Sequence, residues 1–346
     1  MKVIISHKPL HTGSKTRGVG VYTRELINAF HKTFPGDQFI PSSSVDAHPD
    51  ADIVHYPFFD PFFLTLPSSF KKPTVVTIHD LIPLKFKDHF KSGLRGKIKL
   101  FIQSGRVRKA SHIVTDSEAS KKDIIEILHI PGDKITVVPL AHAPEKIPTV
   151  MARKIAGKYK LPEKYLLYVG DINWNKNVPG LIETFSKIED PSLHLILIGK
   201  VFGDQPNIPE MAAVKHAIAK STKSDLIHLI GFVPSHHLPV FYRNATLYVQ
   251  PSWYEGFGLP LLEAMTYGCP IASSDRGSLK EVGGDAAVYF DPGQNMFEVV
   301  SELLKSTRHR NLLVQKGLER IKLFSWEATA RETKKVYEMV LSQNNA

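Results

Sequence analysis

Two α/β domains, each built on a parallel sheet, are what this sequence predicts, and three observations predict them. Its 346 residues amount to about twice an ordinary domain of roughly 150 residues. Short runs rich in β-branched residues alternate with longer helix-like stretches, the pattern of strand–helix–strand units. The alternation also occurs twice. Strands are expected at 2–6, 38–41, 52–56, 74–79, 112–115 and 135–139, and again at 165–169, 194–198, 227–229, 246–249, 270–273 and 287–290.

Between the two sets lies AHAPEKIPTVMARK, with Pro144 and Pro148 and no apolar periodicity, which reads as a linker. The boundary is placed near residue 150, giving domains 1–150 and 151–325. In the tail, Trp326, Ala330, Val336, Tyr337 and Val340 recur at broadly helical spacing behind Ser325, Glu327 and Glu332. A long final helix is therefore expected over 326–346.

The composition, 42% hydrophobic and 23% charged, is that of a folding globular chain. A lone Cys269 allows no internal disulfide and fits a reducing compartment such as the cytoplasm. The opening MKVIISHKPL has no apolar core of a signal peptide, and nothing approaches the roughly 18 apolar residues of a membrane span. An integral membrane protein is not expected. The net charge of +10 suggests a polyanionic partner: nucleic acid, an anionic membrane or a phosphorylated small molecule. Residues 85–109 alone carry +8.

The most informative stretch is PSWYEGFGLPLLEAMTYGCPIASS, residues 251–274. A buried strand leads into it, Gly256 and Gly258 permit a tight turn, Pro260 suits the first helical position, and Gly268 ends the helix. A strand, a glycine turn and a helix start present backbone N–H groups and a positive dipole end, which hold phosphate without a cation. Glu255 precedes the turn and Glu263 lies one turn into the helix. Carboxylates beside a phosphate site suit sugar hydroxyls, since direct contact with phosphate would repel.

Here the sequence resembles the retaining glycosyltransferases of family 4, with the GT-B fold, whose signature is two glutamates separated by seven residues, as in Glu255-Gly256-Phe257-Gly258-Leu259-Pro260-Leu261-Leu262-Glu263. YLLYVGDINWNKNVPGLIETF, GFVPSHHLPVFYRNATLYVQPS and GSLKEVGGDAAVYFDP resemble the rest of the family's donor domain. RGVGVYTREL, VVTIHDLIPL and VTDSEASKKDI resemble its first domain, so the likeness spans nearly the whole chain. The resemblance implies two Rossmann-like domains facing across a cleft, the first binding the acceptor and the second the nucleotide-sugar, with the C-terminal helix returning toward the first. It implies retaining transfer of a hexose, mannose or similar, from a GDP- or UDP-linked sugar to a glycan or lipid-linked acceptor.

By the same resemblance Lys176 takes the donor diphosphate with the amides around Gly258, Glu263 the ribose, and Glu255 and His79 the donor-sugar hydroxyls. Gly18 and Gly20 correspond to the glycine loop facing the donor phosphates. The family's common arginine near the lysine is replaced here by Asp171 or Asn175. Arg17 is the expected compensation.

No metal or other cofactor is expected. The histidines lack ligand spacing, and the one D-x-D, Asp50-Ala51-Asp52, stands at the entry end of a strand rather than at its ligand-facing end. In the basic segment, Phe86, Phe90, Leu94, Ile98 and Ile102 recur every four residues. That spacing predicts an amphipathic helix able to lie on anionic lipid, and family members that elongate lipid-linked sugars are peripheral membrane proteins. Two other readings stand beside this one: a sugar-nucleotide epimerase or phosphorylase of the same fold, and a basic nucleic-acid-binding protein. The glutamate spacing and TIHDLIP favour the transferase, and the basic segment's few aromatics, Phe86, Phe90 and Phe101, make a poor stacking platform for nucleic acid.

Overall fold

The computed structural model describes residues 1–11 and 18–344. The chain divides into two compact units, Met1–Ala141 with Phe324–Ala346, and His142–Leu323. The division therefore falls at Ala141–His142 rather than near 150. The reason is local, because the Tyr267 hydroxyl accepts the Glu145 N–H at 3.0 Å and meets a ring nitrogen of His142 at 3.1 Å, tying the proline-rich stretch to the second unit.

In the first unit, β1 (Lys2–Ser6), β2 (Gln38–Ser42), β3 (Ile53–Tyr56), β4 (Thr74–Thr77), β5 (His112–Thr115) and β6 (Ile135–Val137) form one parallel sheet in the order β2-β1-β3-β4-β5-β6. Side chains alternate across it. Ile4, Val54 and Tyr56 share one face, while His55 on the other bonds to Tyr337 of the final helix, Trp326–Asn344. That helix starts where Ser325 Oγ accepts the Ala328 N–H at 3.1 Å, and it buries Ala330, Val336, Tyr337 and Val340. No helix connects β2 to β3 or β3 to β4.

In the second unit, β7 (Lys164–Val169), β8 (Leu193–Ile198), β9 (Ile227–Ile230), β10 (Leu247–Gln250), β11 (Ile271–Ser274) and β12 (Ala287–Phe290) are also all parallel, in the order β12-β11-β10-β7-β8-β9. Leu166, Leu195 and Leu197 pack with Leu181 and Phe185 of the helix Val178–Lys187 and Val214 of the helix Pro209–Lys220. The strand order reverses between β7 and β10. Ligands in open α/β sheets bind at such reversals, beyond the strands' carboxyl ends.

The basic segment is not one helix. A short turn at Ile82–Lys85 is followed by a separate helix, Leu94–Val107, whose N-cap is Gly93. Phe86 and Phe90 thus lie outside the helix and do not extend its stripe. Within it Leu94, Ile98 and Phe101 are exposed, at 76%, 53% and 82%, whereas Val107 faces the core. Among the described residues no helix is long and apolar enough to cross a membrane.

A buried polar chain ties the final helix to the sheet. Tyr337 Oη lies 2.7 Å from His55 Nδ1, His55 Nε2 lies 2.8 Å from Thr77 Oγ1, and Thr77 Oγ1 lies 3.1 Å from Tyr22 Oη. Burial lowers the His55 pKa to about 3, so the ring is neutral in the fold. The unfolded chain takes up a proton near pH 6.5 that the folded chain refuses. His55 therefore supports the fold above pH 6.5, and its contribution is lost as pH falls toward 3, at about 1.4 kcal/mol per pH unit. Urea midpoints measured between pH 7 and 4 should fall more steeply for the wild type than for His55→Gln; parallel curves would remove His55 as the acid-sensitive group.

Candidate functional site

The two loops at the reversal of the second sheet are laced together by their own hydrogen bonds. After β7 the chain makes a single turn at Trp174–Lys176, and Asn177, in the left-handed region at φ 51°, turns it into the helix Val178–Lys187. After β10 it runs through Pro251–Gly258. Asn177 Nδ2 donates to the Pro251 carbonyl at 3.0 Å, Asn175 Nδ2 to the Tyr254 carbonyl at 3.0 Å, and the Trp253 N–H to the Asn175 carbonyl at 2.7 Å. Asn175, where the family's arginine is absent, thus holds the second loop in place. The Trp174 and Trp253 rings stack at 6.3 Å.

Lys176 and Glu255 meet at the centre. The ammonium donates to both carboxylate oxygens, at 2.8 and 2.9 Å. Gln250 Nε2 and Ser252 Oγ also donate to Glu255 Oε1, at 2.8 and 2.7 Å. The Glu255 side chain is 7% exposed and that of Lys176 23%. The two residues, which the sequence assigns to separate parts of a donor, are each other's partners in the structure. A carboxylate this buried needs a nearby cation.

The backbone around Glu255 is clamped from β11. Gly277 sits at φ +62°, and a Cβ there would fall 2.3 Å from the Glu255 carbonyl oxygen, so only glycine fits. Ser278 Oγ donates to the Phe257 carbonyl at 2.8 Å and Ser274 Oγ to the Ser252 carbonyl at 2.6 Å. Gly256, Phe257, Gly258 and Leu259 then make the turn into the helix Leu259–Thr266. Gly258, at φ +98°, is the N-cap, so Leu259 is the first helical residue and Pro260 the second, one place later than the sequence suggests. Gly268, at φ +69°, follows the helix end. Glu263 Oε2 accepts the Tyr242 hydroxyl at 2.6 Å, and burial raises the Tyr242 pKa well above its ordinary value, which keeps that hydroxyl a donor.

In the first unit, His79 follows β4 and is held on both sides. Its Nδ1 lies 2.7 Å from Asp116 Oδ2 and its Nε2 3.3 Å from the Pro57 carbonyl oxygen, with the Tyr22 ring edge-on at 4.7 Å. Burial opposes a charge on the ring, but Asp116 outweighs it and the His79 pKa is raised. The ring is thus not presented to a sugar hydroxyl as expected; both nitrogens are engaged within the unit. Asp116 is 2% exposed, and its Oδ1 has no hydrogen-bond partner among the described residues.

Gly18 and Gly20 open the helix Gly18–Thr33 rather than forming a separate loop. Arg17 lies outside the described residues. Asp80 Oδ1 accepts the Ile82 N–H at 3.0 Å, a local cap. The D-x-D carboxylates serve β1: Asp50 takes the Lys2 ammonium at 2.5 Å and Asp52 the Lys2 N–H at 2.7 Å. Sequence reasoning missed Asp116, Gln250, Tyr242 and Gly277, although Asp116 and Gly277 stand inside stretches, TDSEAS and GSLKEVGG, that carry the family pattern.

A doubly wound sheet with a cation and a helix start at its reversal in one unit, and a second all-parallel sheet in the other, fit a two-domain α/β protein of the GT-B glycosyltransferase class. The pattern described as "Glycosyl transferases group 1" matches residues 152–320, and that of "Glycosyltransferase Family 4" residues 39–145. O-antigen chain mannosyltransferase B of Escherichia coli is 30% identical over 77% of this chain and 70% of its own length. The chain spans only about a third of some longer mannosyltransferases it also matches, 32% in one case. Among solved structures, sucrose-phosphate synthase from Thermosynechococcus elongatus superposes with a TM-score of 0.78 at 19% identity, covering 99% of this chain and 100% of that one. Anabaena HepE in complex with UDP-glucose gives 0.75 at 15% identity, covering 98% and 100%. The chain belongs to the family 4 GT-B glycosyltransferases, of the mannosyltransferase type.

The Lys176–Glu255 pair makes a measurable demand. Lys176→Ala leaves a buried carboxylate unpaired, and Glu255→Gln in the same chain relieves it. A double-mutant cycle by urea denaturation should show a coupling of about 1–3 kcal/mol, with Lys176→Ala the least stable of the set. Additive effects would show that the pair does not hold the two loops together.

Proposed function

We propose that this protein transfers a hexose, mannose or similar, from a GDP- or UDP-linked donor to a glycan or lipid-linked acceptor, with retention, during assembly of a cell-surface polysaccharide. The observation that carries this reading is the Lys176–Glu255 pair seated at the sheet reversal beside the start of the helix Leu259–Thr266. The relative that acts on O-antigen chains and the neighbour that binds UDP-glucose support the substrate classes.

Two of the three Lys176 ammonium protons face Glu255, and the third serves a diphosphate oxygen. The amides around Gly258 add charge stabilisation there. Glu263, oriented by Tyr242, takes the ribose hydroxyls, and Glu255 the donor sugar. Both His79 nitrogens are engaged, by Asp116 and the Pro57 carbonyl. The route is a front-face one: the bond from the anomeric carbon to the phosphate oxygen breaks, the acceptor oxygen bonds on the same face, and its proton passes to the departing phosphate oxygen. Positioning and charge then supply most of the catalysis. No divalent ion is assigned a part, because the D-x-D is engaged with Lys2 and Lys176 meets the diphosphate.

A melting-temperature screen against UDP, GDP, ADP and their sugars should single out one nucleoside diphosphate, with stabilisation of about 2.7 kcal/mol at one hundred times its Kd, undiminished by EDTA. Lys176→Ala should lower kcat by about 10²–10³, the cost of one preorganised donor. No nucleotide response, with broad and steeply salt-dependent binding to nucleic acid instead, would overturn the reading. Epimerised donor without an acceptor, turnover that requires inorganic phosphate, or loss of activity in EDTA restored by manganese would each overturn its part.

The same reading places the protein at the cytoplasmic face of a membrane. Leu94, Ile98 and Phe101 stand exposed on the basic helix, with Phe63 and Leu64 exposed on a neighbouring loop and the Lys99 ammonium 5.1 Å from the Phe63 ring. Lys91, Arg95 and Lys97 flank them, each worth about 1 kcal/mol near an anionic surface. Ile98→Asp with Phe101→Asp should abolish sedimentation with vesicles of mixed neutral and anionic phospholipid while leaving the melting temperature unchanged. Undiminished sedimentation would assign that face another purpose.

A further inference from the structure

The two oxygens of the Glu255 carboxylate are not equivalent. Oε1 accepts the Lys176 ammonium at 2.8 Å, Gln250 Nε2 at 2.8 Å and Ser252 Oγ at 2.7 Å. Oε2 accepts Lys176 alone among the described residues, at 2.9 Å. An ionised carboxylate has about four lone-pair sites over its two oxygens. Oε1 is therefore saturated, and the acceptor capacity left for a ligand hydroxyl lies on Oε2.

The asymmetry is set from inside the sheet. In β10, Leu247 and Val249 join the apolar core, and Tyr248 and Gln250, two residues apart, share the opposite face. Both are fully buried. A primary amide at such a place can be turned two ways, with its oxygen or its nitrogen toward Glu255, and Tyr248 decides between them. The Tyr248 hydroxyl donates to Gln250 Oε1, and burial holds its pKa well above the ordinary value, so it stays a donor. The amide oxygen thus turns to the tyrosine, and Nε2 reaches Ser252 Oγ and Glu255 Oε1, each at 2.8 Å. The opposite orientation would set an amide oxygen against a carboxylate. Ser252 is fixed as well, because Ser274 Oγ donates to its carbonyl at 2.6 Å. Its hydroxyl receives the amide hydrogen and passes its own to Oε1. Polar side chains buried in a parallel strand are costly unless every one is bonded. Here the bonds run in one direction, from Tyr248 through Gln250 and Ser252, and end on the carboxylate.

We propose that Gln250, oriented by Tyr248, is a positioning residue for glycosyl transfer: it occupies Glu255 Oε1 and so leaves Oε2 as the one oxygen that receives a donor-sugar hydroxyl. The inference rests on the reading that Glu255 meets the donor sugar, and it gives Gln250 no contact with substrate. A single acceptor oxygen held in place binds unequally two hexoses that differ in the direction of one hydroxyl.

Two measurements test it, one of them independent of turnover. In urea denaturation, Tyr248→Phe should lower the midpoint of the otherwise wild-type chain, because the amide oxygen loses its donor. In a Gln250→Leu chain the same substitution should raise the midpoint, since it removes a buried hydroxyl left without a partner. The same sign in both backgrounds would overturn the relay. The second measurement is donor choice, with glucose, mannose and galactose carried on the nucleoside diphosphate that the melting screen selects. The ratio of kcat/KM for the preferred hexose over the next should narrow about tenfold in Gln250→Leu and about threefold in Tyr248→Phe, with the Kd of the nucleoside diphosphate unchanged. Tyr248→Phe removes a single oxygen and carries this test if Gln250→Leu does not fold. Equal loss on all three hexoses, with the ratio kept, would show a structural role only and overturn the proposal. A wild type that turns over no nucleotide sugar, with the midpoint shifts still opposite in sign, would overturn the transferase reading and the role with it, while leaving the hydrogen-bond relay itself in place.

Discussion

The reversal of strand order in the second sheet is the constraint on which the rest depends. Crossovers from β7 run one way across the sheet and those from β10 the other, so no connection covers the ends of these two strands. Two loops must then meet in the open crevice, and a crevice without a covering helix has to satisfy its own backbone. Asn175 and Asn177 do this with carbonyls of the opposite loop. Gly277 allows β11's loop to press directly on Glu255. The geometry that exposes the site is also what obliges it to be rigid.

Charge follows from the same arrangement. Glu255 is buried by the clamp and would be costly without Lys176, while Lys176 is partly exposed. The pair is therefore a support for the two loops rather than an open cation. A similar logic governs His79. Asp116 and the Pro57 carbonyl hold both ring nitrogens and raise the pKa of a group that titrates near neutrality. In both places a buried acid decides what the visible base can do.

The first sheet shows the opposite economy of connection. Where the second unit covers its strands with helices, the first crosses from β2 to β4 with loops alone, and the uncovered face becomes a recess edged with hydroxyls. Its other face is sealed by the final helix through Tyr337 and His55. A chain end far away in sequence thus completes the first unit's core.

Strand positions were legible in the sequence because a strand buried on both faces must be apolar along its length, and YLLYV or HIVT can be little else. The glycine turn, the helix after it to within one residue, and the glutamate spacing were legible too, since turn chemistry is local. Pairing was not. That Lys176 would meet Glu255, 79 residues away, and that Asp116 would bond His79 depend on which elements the sheet order brings side by side. Periodicity sees neighbours along the chain; the partner that sets a side chain's charge lies across it. Residue types and element order were the sequence's own determination, and the pairing of those residues was decided only when the parallel sheets closed.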